Sequence, residues 1–128
     1  MKLLLDTHTF MWWDSDPNQI PSATLDHLKQ PENEVLVSLV SLWEIQIKTQ
    51  LGKLALRADL ANIVRQQQTD NSIILLPISL PHILELDKLP YHHKDPFDRL
   101  LIAQSRIESS SIVSRDTAFR NYDCQVIW

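Results

Sequence analysis

The fold is decided by the stretch Leu3-Leu4-Leu5-Asp6-Thr7-His8-Thr9. The apolar run predicts a short strand over residues 2–5, and a helix is predicted to follow from about Thr9. Asp6 lies where the strand ends. A carboxylate at that position either caps the following helix or faces a site at the carboxyl edge of a sheet.

The rest of the chain repeats this alternation of strand and helix. Residues 73–76 form an apolar run without alternation, which predicts a strand buried on both faces. Repeated strand–helix units predict an α/β fold, a three-layer sandwich around a mostly parallel sheet. The further predicted strands are 34–37, 73–76, the run around 112 and 126–128, and the further predicted helices are 21–29, 39–51, 58–68, 80–87 and 96–108.

Three more acids lie at places comparable to that of Asp6. Glu44 lies along the apolar stripe of the helix 39–51, Asp98 is the third residue of a helix, and Asp116 follows the strand-like run 111–114. Each has a structural alternative: a cap for Asp6 and Asp116, an exposed pair with Lys48 for Glu44, and the helix dipole for Asp98. Acids gathered at one sheet edge need a cation, and Mg²⁺ or Mn²⁺ prefers their oxygens. Metal-dependent phosphodiester chemistry is therefore the first hypothesis.

Composition excludes several enzyme classes. Gly52 is the single glycine, whereas a dinucleotide fingerprint or a phosphate loop needs several. The sequence also contains no HExxH, CxxC or GxSxG motif. Nucleotide-dependent kinases, Rossmann dehydrogenases and serine hydrolases of the usual kind are excluded.

Length, charge and cysteine content set further expectations. The 128 residues fit one domain over 1–128, with no secretory signal and no run of roughly 20 apolar residues that could span a membrane. The single Cys124 allows no internal disulfide and favours the cytoplasm. With a net charge of −4, nucleic-acid binding would need metal and a local basic patch. Candidates for that patch are Lys48, Lys94, Arg99, Arg115 and Arg120.

His92 and His93 are predicted to lie on a surface loop, because adjacent loop residues point apart and no third nitrogen or sulfur ligand lies nearby.

The chain resembles the PIN domains, specifically the small VapC-type ribonuclease toxins of bacterial toxin–antitoxin pairs. Four segments carry the resemblance in the family's order over essentially the whole chain. They are Leu4-Leu5-Asp6-Thr7-His8-Thr9-Phe10, Ser41-Leu42-Trp43-Glu44-Ile45-Gln46-Ile47-Lys48, His93-Lys94-Asp95-Pro96-Phe97-Asp98-Arg99-Leu100-Leu101-Ile102-Ala103 and Val113-Ser114-Arg115-Asp116-Thr117-Ala118-Phe119.

The resemblance implies a sheet of about five strands and a quartet of acids around one or two Mg²⁺ or Mn²⁺ ions. It also implies RNA as substrate, a small antitoxin that buries the site, and a homodimer. Asp6, Asp98 and Asp116 would hold metal directly, and Glu44 would complete the shell or orient the attacking water. The supporting residues would be Thr7 and Ser114 as hydroxyl neighbours, Asp95 as a helix cap or a support behind the metal ligands, and Lys48 or Arg99 at the phosphate.

Two other functions remain open from the sequence. An aspartyl-phosphate phosphatase also places an Asp after its first strand, but it typically has a second carboxylate two residues on, where this chain has His8. A binding module on the same scaffold, either receiver-like or an inactive PIN domain, is the alternative without catalysis.

Overall fold

All 128 residues are described by a computed structural model, in which a five-stranded parallel sheet carries helices on both faces. The predicted α/β sandwich is confirmed, and every strand pair is parallel. The strands are β1 (Lys2–Leu5), β2 (Glu34–Ser38), β3 (Ile74–Leu76), β4 (Ser111–Val113) and β5 (Val126–Ile127). The helices are α1 (Thr7–Ser15), α2 (Ser22–Lys29), α3 (Leu39–Gln50), α4 (Leu60–Asp70), α5 (Leu80–Glu85) and α6 (Pro96–Glu108), with short 3₁₀ turns at Pro17–Gln19, Leu86–Lys88 and Thr117–Asn121.

The strand order is β3-β2-β1-β4-β5. The chain adds β2 and β3 on one side of β1 and then crosses to add β4 and β5 on the other side. The reversal of order falls between β1 and β4, where Leu5 pairs with Val113. Ligands of open α/β sheets bind beyond the carboxyl ends of the strands at such a switch point. The residues that follow β1 and β4 therefore lie where a site is expected.

Alternate residues of the central strands enter two separate cores, one on each face of the sheet. Leu3 and Leu5 pack with α1, α2, α3 and α4, whereas Leu4 packs with α6 on the opposite face. All three side chains are fully buried. Successive side chains of a strand point to opposite faces of the sheet, and helices cover both faces here. The central strand therefore carries apolar residues at every position.

Two sequence-based expectations need correction. β3 is an edge strand that pairs only with β2, and Ile74 is 46% exposed, so the strand is not buried on both faces. Helix α1 begins at Thr7 and not near Thr9, because Asp6 caps it. None of the helices has the length and apolar character needed to cross a membrane.

Candidate metal centre

Asp6 and Asp116 are tied together across the switch point by the hydroxyl of Ser114. The Ser114 Oγ donates a hydrogen bond of 2.5 Å to Asp6 Oδ2 and accepts one of 2.9 Å from the backbone N–H of Asp116. Asp6 also caps α1, since its Oδ1 accepts a hydrogen bond from the Thr9 amide at 2.8 Å. The cap and the position at the sheet edge are therefore compatible for Asp6, which is 5% exposed.

Glu44 lies on the inward face of α3 and joins Asp6 through its neighbour Thr7. The Thr7 Oγ1 donates to Glu44 Oε1 at 2.7 Å, while Lys48 Nζ donates to Glu44 Oε2 at 2.6 Å. Glu44 is 4% exposed, so it is buried and ion-paired at once. The pKa of Lys48 is raised chiefly by this hydrogen bond, with smaller effects from Asp95 and Asp98. Lys48 is thus a cation at the border of the acidic cluster.

Asp98 is placed by the first turn of α6. Asp95 caps this helix by accepting the amides of Phe97 and Asp98 at 2.8 and 3.2 Å, and Pro96 occupies the first helical position. Burial and the charge of Asp95 raise the pKa of Asp98 to about 6, against a lowering effect of His93. The charge of Glu44 contributes a smaller increase in the pKa of Asp98. A carboxylate in such surroundings is stabilised by a cation.

His93 is the member of the cluster that the sequence did not predict. Its Nε2 lies 2.7 Å from Asp98 Oδ2, and one ligand atom from each of His93, Asp98 and Asp116 lies within 4.8 Å of the others. The prediction that both histidines lie on a loop away from any metal ligands is therefore wrong for His93, because its partners are carboxylates, whereas His92 packs its ring against Tyr122. The Tyr122 hydroxyl accepts the backbone amide of His93 at 2.7 Å and thereby fixes the loop.

The four predicted acids come from four separate segments, and a ligand atom of Asp98 lies within 4.8 Å of one of Asp116. Ser114 connects Asp6 with Asp116, and Thr7 connects the Asp6 segment with Glu44. Carboxylate oxygens are ligands of Mg²⁺ and Mn²⁺, and an imidazole nitrogen is a common ligand of other divalent first-row metals. The donor set therefore fits a divalent metal ion.

Two of the arginines predicted to contact the substrate, Arg99 and Arg115, differ in their exposure and contacts. Arg99 is 7% exposed and donates to the carbonyl oxygens of Pro90, Leu86 and Leu89, with its guanidinium 4.1 Å from the centroid of the Tyr91 ring. These contacts give Arg99 a structural role in holding the 86–91 segment on α6. Arg115 is exposed, and its guanidinium lies 5.4 Å from the centroid of the Trp12 ring on α1.

Comparison with known proteins places the chain in a family. The PIN domain family model matches residues 3–124. The chain belongs to the PIN domain family. This membership confirms the resemblance found in the sequence, and the parallel sheet and its flanking helices are those expected of a PIN domain.

Several solved structures share the fold of this chain. VapBC2 from Rickettsia felis, bound to a DNA fragment from its promoter, aligns with a TM-score of 0.75 at 13% identity, covering 99% of this chain and 98% of that one. VapBC-1 from nontypeable Haemophilus influenzae aligns at 0.69 and 16% identity, with coverage of 99% and 97%. FitAcB from Neisseria gonorrhoeae aligns at 0.66 and 19% identity, with coverage of 98% and 96%. At these identities the likeness shows that this PIN domain shares their fold. No curated protein matches the sequence.

Proposed function

We propose that this PIN domain is a divalent-metal-dependent endoribonuclease and the toxin of a toxin–antitoxin pair. The observation that carries the proposal is the convergence of Asp6, Glu44, Asp98 and Asp116 at the carboxyl edge of the sheet, with His93 beside them. PIN domains are typically nucleases that use divalent metals. If Asp6 and Asp116 served only as helix caps, the hydroxyl of Ser114 would not be needed to link them.

Asp6, Asp98 and Asp116 would hold the metal, and Glu44 would complete the shell or orient the attacking water. A bound divalent ion would lower the pKa of that water and neutralise charge developing on the phosphate. Thr7 and Ser114 act on the carboxylates by hydrogen bonding, which fixes the orientation of each oxygen before substrate arrives. Lys48 is the cation closest to Glu44 and would balance the phosphate charge on that side.

The structural neighbours support the antitoxin part of this proposal. The solved relatives include VapBC and FitAcB complexes and a toxin–antitoxin complex from Klebsiella pneumoniae. We infer for this chain a cognate small antitoxin protein that covers the acidic cluster, and a homodimer as the working form. The single domain over 1–128 and a cytoplasmic site of action belong to the same proposal.

The test is cleavage of a mixed RNA pool by the purified protein, free of antitoxin, with Mg²⁺ or Mn²⁺ and with EDTA. The key variant is Asp6→Asn, and the matched control is Asp59→Asn. Both aspartates cap a helix by accepting the amide three residues on, but only Asp6 lies in the cluster. Metal-dependent cleavage should vanish in Asp6→Asn and persist in Asp59→Asn. Equal activity in both variants would refute the assignment, and no cleavage by the folded native chain would favour a non-catalytic module.

A further inference from the structure

The hydroxyl of Tyr122 accepts hydrogen bonds from two segments that both lead to Asp98. The backbone N–H of His93 donates to it at 2.7 Å, and the guanidinium of Arg99 donates to it at 3.4 Å. The phenolic oxygen thereby receives one donor from the loop before α6 and another from the first turn of this helix. Tyr122 is 5% exposed, so these contacts lie in the protein interior.

A short turn connects the same tyrosine to Asp116. The 3₁₀ turn Thr117–Asn121 begins at Asp116, whose Oδ1 accepts a backbone amide of the turn at 2.9 Å, and it ends at Tyr122. Phe119 and Tyr122 are both buried in the core on the α6 face of the sheet. The turn is therefore capped at one end and packed at the other, which favours a fixed position of Asp116 relative to the Tyr122 hydroxyl.

The Tyr122 hydroxyl thus connects two parts of the candidate metal centre. Asp116 belongs to the turn after β4, whereas His93 and Asp98 belong to the loop before α6 and to the helix itself. One ligand atom from each of these three residues lies within 4.8 Å of the others. Asp116 forms no hydrogen bond or salt bridge with His93 or Asp98, so the contacts of Tyr122 supply a link between the two parts.

The two donors to Tyr122 depend on it to different degrees. His93 lies outside the helices and strands, and its backbone N–H forms no other hydrogen bond. Arg99 also donates to three backbone carbonyl oxygens of residues 86–90. Loss of the hydroxyl would therefore release the His93 loop and leave Arg99 and the start of α6 in place.

We propose that Tyr122 is a positioning residue of the metal centre, whose hydroxyl holds the His93 loop against the Asp116 turn and thereby places the His93 imidazole beside Asp98. The inference rests on the proposed metal-dependent function and adds to it a residue 29 positions away from the loop that it holds. Side chains that orient metal ligands typically contribute about 10- to 100-fold to metal affinity.

The first experiment removes the hydroxyl and measures metal affinity. Tyr122→Phe keeps the ring that packs on His92, and Tyr91→Phe is the matched control, because it removes a hydroxyl from a side chain that is 82% exposed. Mn²⁺ is titrated by calorimetry into the native chain and both variants, and urea unfolding verifies that each is fully folded under these conditions. Tyr122→Phe should bind Mn²⁺ on the order of 10-fold more weakly, and Tyr91→Phe should bind it like the native chain.

Two further measurements distinguish positioning from a general loss of packing. Exchange of the His93 amide with solvent, followed by NMR in EDTA, should be about 10-fold faster in Tyr122→Phe, since its acceptor is gone. The Arg99 amide, which donates to the Asp95 carbonyl oxygen at 3.0 Å, should exchange as in the native chain. In a His93→Ala background, Tyr122→Phe should weaken Mn²⁺ binding by less than about 2-fold, because the imidazole that the hydroxyl places is already absent.

Four results would overturn the positioning role. If Tyr122→Phe binds Mn²⁺ like the native chain, the metal centre stands and Tyr122 does not position it. If Tyr122→Phe weakens binding equally with and without the His93 imidazole, the hydroxyl does not act through His93. If the His93 amide exchanges at the native rate in Tyr122→Phe, the hydrogen bond does not hold the loop. If the native chain binds no Mn²⁺, the proposed metal-dependent function fails and the positioning role fails with it.

Discussion

Replacing Asp98 by asparagine should stabilise the metal-free protein at neutral pH. Burial and the nearby charge of Asp95 raise the pKa of Asp98 from its ordinary 3.8 to about 6, so the ionised carboxylate is held in unfavourable surroundings. Asparagine removes the charge but keeps an oxygen that can accept the hydrogen bond from His93. The ionised Asp98 is therefore expected to lower the free energy of unfolding, as groups at functional sites often do.

The size of the effect follows from the pKa difference. A shift of roughly two units corresponds to about 3 kcal/mol at 1.36 kcal/mol per unit. The Asp98 side chain is 20% exposed, so solvent screening reduces the expected gain to about 1–2 kcal/mol. The sign is fixed by linkage: the folded state binds the proton more tightly than the unfolded chain, so Asp98 lowers stability as the pH rises from 3.8 to about 6.

Urea unfolding in EDTA measures the difference between Asp98→Asn and the native chain. We expect the variant to be more stable by about 1–2 kcal/mol near pH 7.5 and the gain to shrink by about half or more near pH 4.5. Asp59→Asn, which changes an exposed cap, should show no such pH-dependent gain. An Asp98→Asn protein that is less stable than the native chain at neutral pH, or a gain independent of pH, would show that the Asp98 carboxylate is not destabilised by its surroundings.

Two further variants test the hydrogen bonds around the acids. His93→Ala removes a group that lowers the pKa of Asp98, so the acidic limb of the profile of cleavage rate against pH should move to higher pH. His92→Ala is the control and should leave this limb in place. An acidic limb that does not move in His93→Ala would contradict the effect of His93 on Asp98. Thr7→Val removes the buried hydroxyl that donates to Glu44 and should lower the free energy of unfolding by about 1–3 kcal/mol, measured by urea titration. Thr7→Ser keeps the hydroxyl and should retain most of the native free energy of unfolding. Equal losses in the two variants would show that the hydroxyl is unimportant.

Much of the fold could be predicted from the sequence because its signals are local. The run Leu3-Leu4-Leu5 has no polar face, and a strand of that kind belongs at the centre of a parallel sheet. Asp95 and Pro96 mark the start of α6 by cap chemistry, and the structure places the helix there. Ile74 shows the limit, since a short apolar run reads the same at the edge of a sheet as at its centre.

The candidate site could be predicted only in part, for a comparable reason. Asp6 and Asp116 follow strands and Asp98 lies in the first turn of a helix, so topology brings these three to one edge, whereas Glu44 lies within α3. His93 lies in a loop whose path depends on the Tyr122 hydroxyl, 29 residues away, and no periodicity records such a contact. Arg99 was predicted to face phosphate from its neighbourhood in sequence. Its side chain instead donates to the backbone carbonyl oxygens of Pro90 and Leu89, contacts that depend on the folded path of residues 86–91.

The proposed nuclease function requires that the acidic cluster binds a divalent metal ion. Calorimetric titration of Mn²⁺ into the native chain, Asp6→Asn and Asp59→Asn measures this binding, and the readout does not depend on finding the right RNA. We expect one saturable site per cluster in the native chain and in Asp59→Asn, lost or weakened at least ~10-fold in Asp6→Asn. A native chain that binds no Mn²⁺, or an Asp6→Asn variant that binds it as well as the native chain, would show that the cluster is not a metal site.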